Sequence, residues 1–513
     1  MEIFLYKVNR MLTQNTVKLT EVSFSSLFPH FWNKSISINE IKTFSSYINK
    51  IPFENVIAWS SIDFPNLMSK TLNENPWERL EILNKLFDPI SLTINLMSKY
   101  LTFQRVYDTK IVSNFLETLK SFNVENIRLF DPLNDLNFLE ETINLCIKKD
   151  MNVEGTILIN PINPDFVLPK KVLELYKKSE TTSVILFEPT GTLRYQLIRR
   201  VLDQLKNELK LSFKLSFSGR KDELTYIIGN FLKSELNIIG IDVTSLLNYP
   251  DPCPPNLITI LSLFHDLDIK TNIDLNKVLR LQNDLCLMDI KDNDCNKLGI
   301  MTNTDLIKKK IPIFAYQKLV NILKENNKKN LVDKTLIEFS KVQKDLAYPP
   351  CIPPFTDFLL SQAIFNCVDG KKKYSTIVPE IHNFLSGYNG KTSNNISKKL
   401  KELNREGFIP STIDFDQYKN LEIYENWKLD KRERLAYEIA TKEAEIYFMR
   451  KFSKIPNEID LNNRKTLASL VISIIKNKDP VQPLIIKENT KTSNINKKTW
   501  SLVGRLDQMG TKF

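Results

Sequence analysis

The sequence predicts an α/β protein: a closed (β/α)8 TIM barrel followed by a C-terminal, mostly helical annex. Three observations lead there. From about residue 16 to about residue 260, short β-rich runs alternate with segments whose apolar residues recur at three- and four-residue steps, the pattern of a parallel sheet with crossover helices. Eight such runs, most followed by an amphipathic segment, fit a closed barrel better than an open sheet. Beyond about residue 265 the β-rich runs stop and helical periodicity takes over.

In chain order, strands are expected at Thr16 to Phe24, Val56 to Ile62, Ser91 to Met97, Asn126 to Asp131, Asn152 to Ile159, Ser183 to Phe187, Leu211 to Phe217 and Asn237 to Val243. Outer helices are read between them, as at Leu136 to Lys149 and Leu193 to Leu209. In the annex, Leu319 to Glu325, Leu331 to Leu346 and Glu433 to Phe452 carry helical periodicity. The proline-dense Tyr348 to Pro354 reads as a rigid, extended loop, because proline fixes φ and removes a donor. One more helix is expected around Lys465 to Lys476, with a polar, partly disordered stretch after Asn477. The organisation is an N-terminal segment (1–15), the barrel (16–310), the annex (311–453) and a C-terminal helix with a basic tail (454–513).

Composition narrows the function classes. With 513 residues and 42% hydrophobic content the chain can bury a large core. No apolar run reaches the ~18 residues that a membrane span needs, and Met1 to Lys7 reads as neither a signal nor a transit peptide, so a cytoplasmic location is expected. The six cysteines are scattered without C-x-x-C spacing, which points to reduced, buried thiols. The net charge of +11 permits an anionic partner, but lysine is spread along the chain, and runs such as Lys308-Lys309-Lys310 read as solvated faces. Nucleic-acid and membrane partners are therefore not expected, the basic stretch Lys487 to Lys498 being their only local support.

Specific motifs then appear in order. They are Asn75-Pro76-Trp77-Glu78-Arg79-Leu80, Ile127-Arg128-Leu129-Phe130-Asp131-Pro132-Leu133-Asn134-Asp135 and Val153-Glu154-Gly155-Thr156-Ile157 in the barrel. The annex adds Leu346-Ala347-Tyr348-Pro349-Pro350, Gln362-Ala363-Ile364-Phe365-Asn366 and Phe384-Leu385-Ser386-Gly387-Tyr388-Asn389-Gly390. Over roughly residues 16 to 453 the chain resembles the carboxyltransferase domain of pyruvate carboxylase and the alpha subunit of oxaloacetate decarboxylase, whose motifs read D-P-W-E-R-L, F-R-I-F-D-A-L-N-D, V-x-G-T-I, L-G-Y-P-P, Q-A-V-F-N and L-K-G-x-Y-G.

The resemblance implies a chemistry and a ligand set. Carboxyl transfer from carboxybiotin to pyruvate needs an enolate, stabilised by a divalent metal at the mouth of the barrel. In the family an Asp after strand one, a carbamylated Lys after strand six and two His on strand seven hold the metal, and a threonine from the annex shuttles a proton. This chain departs at each position. Ser26 stands at the Asp, Phe187 at the Lys, Phe217 and Gly219 at the two His, and Pro353 at the threonine. Ser25 and Pro29 replace an arginine and a glutamine, and His30 is one residue out of place.

The family metal is thus expected to be absent and no catalytic residue is assigned. Lys70, Arg128, Asp131 and Glu188 remain as candidate ligand-binding residues, although an ion pair or strand-end cap explains Arg128 and Asp131 as well. Glu21 and Glu188 lie at strand ends, where they are candidates for a hard cation, with Glu188 expected to pair with Lys70 or solvent. His265, among Leu261, Phe264 and Leu267, reads as a core or interface histidine. No A-M-K-M biotin attachment site and no glycine-rich phosphate loop is found, so no cofactor is expected.

The leading expectation is a metal-free pseudoenzyme acting in assembly or regulation of a biotin-dependent carboxylase, as a homodimer or a heteromer with an active homologue. Two alternatives stand beside it: an organic-acid binder holding pyruvate or oxaloacetate at the barrel mouth, and a carboxyltransferase subunit or lyase with rebuilt chemistry, using Glu21, Glu188 and lysines as acid/base groups.

Overall fold

Eight parallel strands close into a barrel in chain order, β1 pairing with β2 and finally with β8, in a computed structural model. It describes residues 16–26, 28, 36–102, 106–179, 181–245, 252–287, 306, 310–368, 373–387, 395–405 and 427–453. The expectations for Pro29, His30, the 465–476 helix and the segments 1–15 and 454–513 lie outside the described residues.

The strands are β1 (Lys18–Glu21), β2 (Asn55–Val56), β3 (Ser91–Leu96), β4 (Asn126–Leu129), β5 (Asn152–Leu158), β6 (Ser183–Glu188), β7 (Ser212–Phe217) and β8 (Asn237–Val243). All eight fall on the sequence-predicted runs or touch them. The exceptions in length are β1 and β2: Val22 N and Ile57 N still bond to Val243 O and Glu21 O, after which the chain turns at residues 23–24 and enters the 3-10 helix Ser61–Asp63. The helices that follow in turn are α1 (Ile38–Ile48), α2 (Pro76–Phe87), α3 (Thr109–Ser121), α4 (Leu136–Ile147), α5 (Lys170–Lys178), α6 (Tyr195–Leu205), α7 (Lys221–Leu232) and α8 (Leu257–Asp266).

Two of the motifs start helices. Asn75 caps α2, its side chain accepting from Trp77 N at 2.9 Å with Pro76 in the first turn, and Asp135 caps α4 by accepting from Asn137 N at 3.0 Å. Trp77 joins Trp59, Phe64 and Phe115 in a buried ring cluster with centroids between 5.1 and 6.0 Å apart. That cluster ties α2 and α3 to the barrel wall.

The annex runs α9 (Ile313–Glu325), α10 (Val332–Asp345), α11 (Phe355–Val368), α12 (Pro379–Leu385) and α13 (Lys398–Arg405). Its motif residues serve packing as well. Gln362 donates to Thr376 O at 2.8 Å and accepts from Val378 N at 3.0 Å, while Asn366 donates to Glu338 at 2.9 Å. The Tyr348 to Pro354 segment is not extended. Ala347 and Tyr348 adopt positive φ (61° and 57°), and the chain folds under Asn160, which donates to Tyr348 O at 2.8 Å.

Two apolar cores divide the molecule. One fills the space between the strands and the outer helices, and the last two helices of the described residues, α14 (Lys431–Ile439) and α15 (Thr441–Ser453), belong to it through Leu435, Tyr437, Ile439, Ala444 and Phe448. Trp77 Nε1 donates to Arg432 O at 2.8 Å. The other core joins the mouth of the barrel to α9 through α13. The expected annex 311–453 is therefore two pieces with different attachments: its first part covers the mouth, and α14 and α15 strap the outside of the barrel. Among the described residues no helix is long and apolar enough to cross a membrane, and Cys146, Cys253, Cys351 and Cys367 are buried free thiols.

Candidate functional site

Period-two alternation decides which side chains enter the barrel. On β4, Ile127 and Leu129 join the outer core, so Arg128 points inward; on β5, Val153 and Ile157 do the same and Glu154 and Thr156 turn in. Lys214 and Ser216 on β7 and Asp242 on β8 follow the same rule. Arg128, Lys214 and Asp242 each sit between apolar neighbours in sequence, a local signal that these charges are buried and not of which partners they meet.

The inward charges form one chain of ion pairs. Lys214 Nζ lies 2.7 Å from both Glu54 and Glu154, Arg128 Nε donates to Glu154 at 3.0 Å, and Arg128 Nη1 donates to Asp242 at 2.5 Å. Gly240 makes room for it, because a Cβ there would sit 3.1 Å from the Lys214 side chain. Glu154, paired with Arg128 and Lys214, is held below the usual carboxylate range against the opposing effect of burial. Arg128 is thus committed to protein carboxylates.

Above this polar level the lumen turns apolar. Phe187 points inward from β6, with its ring centroid 5.9 Å from Phe28 and 5.4 Å from Phe130, both edge-on. Val22, Ile57, Met97, Leu158 and Ile185 complete the layer, which is continuous with the annex core. Between the two levels lies a cavity of about 10 Å³, lined by Ser25, Phe28, Asn95, Arg128, Thr156, Phe187, Ser216 and Asp242. That is room for about one water, and far too little for an organic acid.

The remaining candidates have local tasks. Asp131 is fully buried and accepts from Ser98 Oγ (2.7 Å), Leu133 N (3.0 Å) and Asp135 N (2.8 Å), so it clamps the turn after β4. Glu188 accepts from Thr190 N, Thr190 Oγ1 and Gly191 N, holding the turn in which Gly191 takes φ +70°. Those partners, and neither Lys70 nor solvent, occupy its carboxylate. Glu21 accepts from Ser23 N at 2.6 Å and Ser245 N at 3.0 Å, closing β1 onto the end of β8.

Ser26 is half-buried beside Asp63, and Lys70 lies half-buried after the short helix Phe64–Leu67, away from the cavity lining. Pro353 is half-buried in the loop before α11. His265 lies on α8 with its side chain 85% exposed, because Leu257, Ile260, Leu261 and Phe264 take the inner face. Among the described residues no group of three or more His, Cys, Asp or Glu could hold a metal.

Phe217 and Gly219 require a correction of one residue. The Phe217 ring packs on Phe231 of α7 at 5.3 Å, and a Cβ on Gly219 would meet Leu224 of the same helix at 3.1 Å, so both face away from the lumen. The inward positions on this strand are Lys214 and Ser216, and alternation continues to Ser218. A pair of residues two apart that point at the mouth is therefore Ser216 and Ser218.

Burial raises four of these carboxyls. Glu21 and Glu188 are pushed up to about 7, and Asp63 and Asp131 to about 6, with their hydrogen bonds opposing the shift. Carboxyls raised in the folded state hold protons that the unfolded chain releases near 4, so their contribution to stability is present below that pH and is lost as pH rises through 6 to 7. The urea midpoint is expected to be higher at pH 5.5 than at pH 8. A midpoint that climbs with pH over this interval would contradict the assignment.

No family model matches the chain. Two curated proteins, each named as the B subunit of pyruvate carboxylase, are similar to it. The one from Methanothermobacter thermautotrophicus is 23% identical over 388 residues, covering 73% of this chain and 66% of that protein. The one from Methanocaldococcus jannaschii is 23% identical over 410 residues, covering 77% and 70%. The match thus spans about two thirds of the length of these relatives. Among solved structures, the carboxyltransferase domain of Rhizobium etli pyruvate carboxylase with pyruvate superposes at a TM-score of 0.72 and 13% identity, over 88% of this chain and 82% of that one. The chain resembles the carboxyltransferase part of pyruvate carboxylase in sequence and shares its fold.

Proposed function

We propose that this chain is a carboxyltransferase-fold protein that has lost metal-dependent carboxyl transfer and acts in assembly with, or regulation of, a biotin-dependent carboxylase. The observation that carries the reading is Phe187, placed where the resemblance calls for a metal-binding lysine and enclosed by Phe28 and Phe130 in a layer shared with the annex.

The implied metal needs nitrogen or charged oxygen donors. A phenyl ring has no lone pair to offer, and Ser26, Ser216 and Ser218 supply only neutral hydroxyls. These residues do not fit the metal. The motif residues that persist have packing roles instead: Asn75 and Asp135 cap helices, Arg128 and Asp131 bind within the protein, and Gln362 and Asn366 knit the annex together. A chain under demand for fold and surface, and not for turnover, would keep that set. The names of the similar proteins, the B subunit of pyruvate carboxylase and the 5S subunit of methylmalonyl-CoA carboxyltransferase, describe parts of larger carboxylases, which suggests where a partner is to be sought.

The test joins two measurements on the full chain. Purified protein is expected to carry less than stoichiometric zinc or manganese and to show no biotin-dependent decarboxylation of oxaloacetate to pyruvate. Recovered from its own cells, it is expected to bring a biotin-containing carboxylase subunit with it. Bound metal with turnover would overturn the loss of chemistry, and a monomer recovered alone would overturn the assembly role.

A further inference from the structure

Four buried polar atoms without a hydrogen-bond partner among the described residues belong to residues lining the same lumen cavity. They are Arg128 Nη2, Asp242 Oδ1, Asn95 Oδ1 and Thr156 Oγ1. Each residue is at most 4% exposed. A buried polar atom left unpaired carries its full desolvation cost, so four in one place would be a heavy penalty for a barrel core.

The neighbouring contacts fix what each atom offers. Arg128 has committed Nε to Glu154 and Nη1 to Asp242 Oδ2, which leaves Nη2 as its open donor. Asp242 spends Oδ2 on that bond and keeps Oδ1 as an acceptor. Asn95 Nδ2 donates to Ser25 Oγ at 3.1 Å, which leaves Oδ1 as the open acceptor of its amide. Thr156 supplies a hydroxyl that can donate.

We infer that the cavity is a binding site for one water molecule, which accepts from Arg128 Nη2 and Thr156 Oγ1 and donates to Asp242 Oδ1 and Asn95 Oδ1. Two donors and two acceptors are the complement of a single tetrahedral water. The volume of about 10 Å³ matches one such molecule. A monovalent cation is disfavoured by the Arg128 donor facing it, and an anion by the Asp242 oxygen. Beside Phe28 and Phe187, this water completes the hydrogen bonding of the ion-pair chain from four different strands.

Thr156→Val separates a wet cavity from a dry one by sign. With water bound, the substitution removes one of its four partners and the urea midpoint falls. In a dry cavity the same change deletes an orphaned hydroxyl, and the midpoint stays or rises, which would overturn the inference. Should the variant not fold, water-oxygen magnetic relaxation dispersion on the unmodified chain, with a high-resolution crystal structure, decides the question. One long-lived water and one density peak within hydrogen-bond distance of Arg128 Nη2 and Asp242 Oδ1 are expected. An empty cavity, or Arg128 and Asp242 paired through both forks, would refute it.

Discussion

Arg128→Met is expected to lower folding stability by about 3–5 kcal/mol, the cost of breaking a buried ion pair from one side. The guanidinium is 4% exposed and bridges Glu154 and Asp242. Without it Glu154 still has Lys214, but Asp242 is left fully buried with no cation among its described partners. The loss is therefore mostly the cost of a stranded carboxylate, which the double substitution Arg128→Met with Asp242→Leu removes, since replacing a whole buried pair by apolar groups is often neutral. Urea unfolding should place the double variant above the single one. A single variant within about 1 kcal/mol of the parent would mean that the pairs contribute little.

Phe187→Ala is expected to cost about 3–5 kcal/mol, and Phe187→Leu less, about 1–3 kcal/mol. The ring is 3% exposed and makes edge contacts with Phe28 and Phe130, each such pair adding about 0.5–1.5 kcal/mol beyond burial. Because its layer belongs to the core of α9 through α13, the damage should reach the annex. Amide hydrogen exchange should quicken in α11 as well as in β6. Protection lost in the barrel alone would show that the two parts are not packed as one core.

The survival of the fold beside the departures at its mouth has a simple physical basis. The persisting motifs are bound by contacts made within the chain, as Asn75 is to Trp77 and Asp131 to Asp135. The positions that depart are those at which the resemblance implies contact with a group from outside the chain. Phe187 shares a buried apolar layer with Ile185, Leu158 and Met97, where desolvation favours apolar neighbours over charged ones.

Much of this was legible in the chain. Strand runs, helix periodicity and six ordered motifs determined the closed barrel and the helical annex, because hydrophobic period and capping chemistry are local. The placing of Ser26 and Phe187 at the implied metal positions rests on the resemblance and sequence order alone. Facing did not: a slip of one residue exchanges the two sides of a strand, and only the packing of Phe217 on Phe231 decided that Ser216 and Ser218 look toward the mouth. Nor could sequence join Glu54, Lys214, Glu154, Arg128 and Asp242 into one chain of charges, since closing the barrel brings together strands up to 160 residues apart. Tertiary structure alone decided that Arg128 is consumed by its own barrel, that Lys70 lies off the cavity, and that the annex splits between mouth and wall, because each depends on which surfaces are left to cover once the sheet has closed.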